Sequence, residues 1–145
     1  MLFRSERTAE EVKVSIGSAF TLPEEVTLEV RGRDYVSGLP KTIVVKSEDV
    51  REALQEPLAT IVNAVRNTIE RTPPELVADI MHKEIVMTGG GSLLRRIGDL
   101  IHSEIGMPVR VADDPMSCVA LGTGKTLEHM DLMTRVLVGA KHAMS

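Results

Sequence analysis

The chain has 145 residues, 43% apolar and 26% charged, which suits one domain with a real core and argues against disorder. Two Phe, one Tyr, no Trp and a formal charge of −4 withhold the stacking platforms and basic surface that nucleic-acid binders use. A single cysteine, Cys118, leaves no internal disulfide, and no stretch reads as a signal peptide or a membrane span, which fits a reducing cytoplasm.

The first predicted element is a helix from Thr8 to Ile16, with Thr8 as N-cap and Glu10 and Glu11 toward the positive end of its dipole. Glu10 and Lys13 stand three apart and share a face, which by itself describes a solvated ion pair. Gly17 ends the helix. Val26 to Val30 alternates apolar and polar, the period of a half-buried strand. Arg31-Gly32-Arg33-Asp34 and Ser37-Gly38-Leu39-Pro40 read as turns, and Thr42 to Lys46 as a second strand. The two strands are expected to pair as a hairpin beside the helix.

Ser47 is the expected cap of a long helix whose first turn carries Glu48 and Asp49. Val50, Leu54, Leu58, Ile61, Val62, Val65 and Ile69 recur at helical spacing, giving one buried stripe, and Pro57 should kink or break it. Thr72-Pro73-Pro74 stops it, and Glu75 to Met81 makes a short helical connection. Later, Leu93, Ile97, Leu100, Ile101 and Ile105 form another apolar face, closed by Gly106. Val109-Arg110-Val111 is extended, and Asp113-Asp114-Pro115 starts the last helix, with Asp114 as N-cap and Pro115 at the first helical position.

The stretch that organises the chain is Ile85-Val86-Met87-Thr88-Gly89-Gly90-Gly91-Ser92, followed directly by an amphipathic run. It reads as strand, tight turn, helix. Three glycines leave a bare backbone that something flat or charged can approach closely. Ser92 caps the helix behind it in this reading, and the N–H groups there suit a phosphate or ribose oxygen. A tight turn that binds nothing has the same composition, and the residues alone leave both readings open.

Other motifs fail on inspection. Gly122-Thr123-Gly124-Lys125-Thr126 resembles a P-loop, but the leading glycine of that pattern falls on Val119, and the stretch continues a helix. The dinucleotide fingerprint fails at Leu94, where its third glycine belongs. His82, His102, His129 and His142 lack ligand spacing, so no metal site is expected. Capping accounts for Asp113 and Asp114, and Cys118 reads as a small buried residue without a base partner.

Five blocks taken in order carry a resemblance. They are Glu6-Arg7-Thr8-Ala9-Glu10-Glu11-Val12-Lys13, Leu54-Gln55-Glu56-Pro57-Leu58, Thr72-Pro73-Pro74-Glu75-Leu76, Thr88-Gly89-Gly90-Gly91-Ser92-Leu93-Leu94-Arg95, and Ala112-Asp113-Asp114-Pro115 with Cys118-Val119-Ala120 and Gly122-Thr123-Gly124-Lys125. Together they resemble the MreB family of bacterial actin homologues, from about Glu6 to Met130. The resemblance implies an α/β actin-like ATPase (ribonuclease-H-like) fold, second half only, with a small α+β lobe inserted. Residues 1–46 would be that lobe, truncated at its start, and residues 47–145 the nucleotide-cleft lobe. The family's two phosphate loops and catalytic acid would lie upstream. Leu2-Phe3-Arg4-Ser5 is also encoded by a common sequencing-adapter end, so Met1 is expected to mark a break rather than a natural start.

The resemblance further implies that Gly89, Gly90, Gly91 and Ser92 lie against the nucleoside and α-phosphate of ATP. It puts Glu10 on the ribose hydroxyls and Lys13 beside the adenine, with Glu11 as their neighbour. A carboxylate accepts both hydroxyls, and a lysine stem covers a base while its charge stays in water. Ala120, Gly122 and Gly124 match a hinge helix. After Met130 the family pattern ends, and Leu132-Met133 with Val136-Leu137-Val138 would extend the last helix as further packing. The implied whole is a cytoplasmic protein that uses ATP, with Mg²⁺, and polymerises with itself under the membrane. Its filaments would organise cell-wall synthesis, with membrane-embedded elongation proteins as partners and membrane contact through the other half. The alternatives are an Hsp70-like or sugar-kinase fragment, and a free-standing half-actin module that binds filaments without hydrolysing ATP.

Overall fold

The structure is a computed structural model that describes residues 2–3 and 6–130. Arg4 and Ser5 of the adapter-like stretch, and the apolar run from Leu132 to Val138, lie outside the described residues. Strand β1 (Leu2–Phe3) precedes helix α1 (Glu6–Ile16), and strands β2 (Thr27–Asp34) and β3 (Pro40–Lys46) follow. They form one antiparallel sheet in the order β1-β2-β3, with Thr27 opposite Lys46 and Arg33 opposite Pro40. Thr8 therefore sits inside α1 and not at its cap.

The hairpin is longer than expected. Arg31, Gly32 and Arg33 do not turn; they pair with Thr42, Lys41 and Pro40. The reversal belongs to Asp34, whose Oδ1 accepts the backbone N–H groups of Ser37 (3.1 Å) and Val36 (2.8 Å), while Gly38 takes φ +70°. Those two N–H groups, with Lys41 at 3.3 Å from Oδ2, hold the Asp34 carboxyl at about 2, below the ordinary aspartate range. A depressed carboxyl stabilises the fold above its unfolded pKa of about 4, and that contribution is lost as pH falls through about 2. Acid titration of the melting temperature should therefore show a steeper fall between those values for the wild type than for Asp34→Asn. Parallel curves would remove Asp34 from the acid limb.

Two helices replace the single one read from the pattern. Helix α2 (Ser47–Ala53) ends at Leu54, and α3 runs from Gln55 to Glu70. Pro57 lies in the first turn of α3, where a backbone N–H has no intrahelical partner to lose. Ser47 does not cap. It is fully buried, its Oγ accepts the N–H of Val26 at 2.8 Å, and its hydroxyl donates to Glu25. Asp49 takes the capping part, with Oδ2 3.0 Å from the Lys46 N–H.

Pro74 opens α4 (Pro74–Lys83), which leads through Glu84 into β4 (Ile85–Met87). Helix α5 (Ile97–Ile105) carries the chain to β5 (Val109–Val111), which pairs parallel to β4 with Ile85 opposite Val109. Gly106 ends α5 at φ +78°, as its position predicted. The core gathers Leu58 and Val62 of α3, Ile97 and Ile101 of α5, and Ala19, with Met87 and Val109 packed against it. Ile61 and Leu93, expected to be buried, are exposed. The last described helix, α6, spans Cys118–Glu128. Asp114 caps the turn before it instead, with Oδ1 3.3 Å from the Ser117 N–H, and Cys118 is only half-buried.

Candidate functional site

Strand β4 delivers the chain to Gly89, which takes φ +80° and ψ 170°, a region that strongly favours glycine. Its N–H donates to the Pro115 carbonyl at 2.7 Å, tying the turn to the segment before α6. Gly90 to Leu93 then form one 3₁₀ turn, and α5 begins only at Ile97. Ser92 thus caps no helix. Its side chain is buried and its hydroxyl donates to the Gly89 carbonyl at 2.7 Å, so it braces the turn from inside. The backbones of Gly90 and Gly91 are exposed. A Cβ on Gly91 would meet nothing within 4 Å, and one on Gly90 would meet the Met116 sulfur at 3.3 Å. The bare surface expected of the glycines is present.

Glu10 and Lys13 come together on α1, with Nζ 2.6 Å from Oε2, the Glu10 side chain exposed and Lys13 half-buried. Glu11 pairs with Arg7 at 3.1 Å on the open face of the same helix. Glu10 and Lys13 also rim a groove of about 650 Å³ between α1, β3 and α2, floored by Ile43, Val45, Val50 and Leu54. The glycine turn does not line that groove. The two sets of expected residues are joined by the segment that follows each of them.

That junction was not visible in the sequence pattern. Behind the turn, Arg95 forms an isolated parallel bridge with Ser18, and its carbonyl accepts the Ala19 N–H at 2.8 Å. The Arg95 guanidinium reaches back 2.8 Å to the Ser15 carbonyl in the last turn of α1. Arg96, at φ +60°, donates to the Thr21 carbonyl and lies over the Phe20 ring at 5.0 Å. From the other side, Arg51 holds the fully buried Ser18 at 2.9 Å and Glu25 at 2.6 Å. The Arg51 guanidinium first, and the Ser47 hydroxyl second, push the Glu25 carboxyl below its usual range. Among the described residues no group of His, Cys, Asp or Glu could hold a metal ion. No described helix is long and apolar enough to cross a membrane.

A parallel β4–α5–β5 unit with a glycine turn at the carboxyl end of β4, set beside a hairpin lobe, defines an actin-like α/β protein. The MreB/Mbl protein family model matches residues 1–135. The chain belongs to the MreB/Mbl family. It is 47% identical over 134 residues to the cell shape-determining protein Mbl of Bacillus subtilis, covering 92% of this chain and 40% of that protein. Against the cell shape-determining protein MreB of Escherichia coli it is 49% identical over 127 residues, covering 88% and 37%. The crystal structure of MreB5 of Spiroplasma citri bound to ADP superposes with a TM-score of 0.83 at 36% identity, over 89% of this chain and 39% of that one. The chain thus spans about 40% of the length of these relatives. Family membership takes the place of the Hsp70-like and sugar-kinase alternatives.

Proposed function

We propose that this chain is part of an ATP-binding, filament-forming bacterial actin that organises cell-wall synthesis and determines cell shape. The observation that carries the reading is the turn at Gly89 to Ser92, braced from inside and bare outside, in a chain of this family. A related structure bound to ADP supports a nucleotide as the ligand. In this reading residues 1–46 form a small α+β lobe and residues 47–145 the cleft lobe. Gly89, Gly90, Gly91 and Ser92 present backbone to the nucleoside and α-phosphate. Glu10 accepts from the ribose hydroxyls, Lys13 flanks the adenine, and Glu11 stands beside them. ATP is the nucleotide of the whole protein; the phosphate loops, Mg²⁺ and catalytic acid are assigned to the other half. One wall encloses little of a ligand, so this chain should bind ATP weakly and not hydrolyse it. Filaments would lie in the cytoplasm under the membrane, with self-association and membrane-embedded elongation proteins as contacts.

The test is an ATP titration of the ¹⁵N-labelled chain followed by amide chemical shifts. Shifts grouped at Gly89–Ser92 and Glu10–Lys13 are expected. Undisturbed amides at both places would overturn the nucleotide assignment and leave the half-actin module that decorates filaments.

A further inference from the structure

We infer that Arg95 is the positioning residue of the nucleotide site, fixing helix α1 relative to the glycine turn without touching the ligand. The inference rests on the nucleotide reading above. The proposed ribose and adenine contacts sit on α1, and the backbone contacts sit on the turn, so affinity depends on the spacing between the two. Arg95 follows the turn closely in sequence, and it holds both the end of α1 and the residues just after it. Its main chain bridges Ser18 and Ala19, just beyond the end of the helix. Its guanidinium takes the Ser15 carbonyl, one of the last carbonyls of α1 that the helix itself leaves without a donor. A cation there also meets the negative end of the helix dipole.

The other contacts of this junction do different work. Arg96 holds Thr21 and Phe20, beyond the helix, and Arg51 holds Ser18 from α2. Only Arg95 joins the helix itself to the segment emerging from the turn, among the bonds described. Its side chain is exposed, so removing it opens no cavity. Losing the guanidinium leaves the main-chain bridge and the packing of α1 on α2 and β2 in place, and loosens the carboxyl end of α1 against the turn. The two walls then no longer hold one spacing, and the cost falls on binding instead of on folding.

The experiment compares the wild-type chain with Arg95→Met and Arg95→Lys, reading ATP affinity from the amide titration and stability from thermal unfolding. Arg95→Met should bind ATP about tenfold more weakly, because α1 then holds the binding spacing in only about a tenth of the molecules, with its melting temperature near that of the wild type. Amide shifts in the ligand-free protein should move along α1 while Ile97 to Ile105 stay in place. Arg95→Lys, which keeps one donor for the Ser15 carbonyl, should recover part of the affinity. Unchanged affinity in Arg95→Met overturns the inference while the nucleotide reading stands. So does a loss that follows a lowered melting temperature and is not relieved by lysine, because that describes a structural residue. A wild-type chain without ATP shifts removes the nucleotide reading and this inference together.

Discussion

Ile101→Ala is expected to lower the melting temperature by about 10 °C, the largest fall from any single truncation in the core. Ile101 is 2% exposed and packs at the centre of a cluster fed by α3, α5 and Ala19. Shortening such a side chain costs about 2–5 kcal/mol, since the lost burial adds to an unfilled cavity. For a chain of this size each kcal/mol is worth about 2–4 °C, and the whole fold is worth about 5–15 kcal/mol. Ile61→Ala is the matched control. Its side chain belongs to the predicted stripe of Leu58 and Val62, which pack in the same core as Ile101, yet it is 43% exposed, so its truncation should shift the transition by only a degree or two. Equal shifts for the two variants would mean that α3 presents a different face to the core.

Gly17→Ala should destabilise the protein by about 1–3 kcal/mol although it adds a single methyl group. The reason is position. A Cβ at Gly17 would stand 2.3 Å from the Lys13 carbonyl oxygen, which also accepts the Gly17 N–H at 2.8 Å. Neither backbone group can retreat without dragging Ser18 away from Arg51 and Arg95. Loss of stability should therefore come with shifted amides at Ser18 and Ala19. Gly122→Ala is the counterpart of opposite sign. It lies inside α6 with nothing within 4 Å of the new methyl, so helix propensity should make it neutral or stabilising by up to about 1 kcal/mol. Denaturant unfolding of both variants decides; a harmless Gly17→Ala would show that the end of α1 has room to move.

Periodicity and punctuation made much of the fold readable in advance. The apolar spacing through Leu58 and Val62, the break near Pro57, the stop at Thr72-Pro73-Pro74, and Gly106 as helix terminator all describe local events, and local rules decide them. Three of the misreadings share one cause. The pattern points Ser47, Ser92 and Asp114 each to a helix start because such side chains bond main-chain groups. All three do so, but to Val26, to Gly89 and to the turn at Ser117. Composition tells that a polar side chain will satisfy a main-chain group; it does not tell which one. Arg31 to Asp34 went wrong similarly, because one aspartate, not the glycine-bearing run, carries the reversal. For the candidate site, the bare glycines at a strand end were readable, and the family followed from blocks in order. The junction through Arg95 and Arg96 was not, since nothing local marks a pairing between residues so far apart in the chain.

That separation has a kinetic consequence. The bond from Arg95 to Ser15 closes a loop of 80 residues, whereas the hairpin and the β4–α5–β5 unit are each closed by near neighbours. Chain entropy opposes long closures more than short ones, so contacts of this kind form late on the way to the native state. By the same token they are the first to be given up. The molecule should part along the line between Ser18 and Arg95 while the hairpin and the parallel unit are still intact, so its earliest unfolding event is a separation of parts and not the melting of either one.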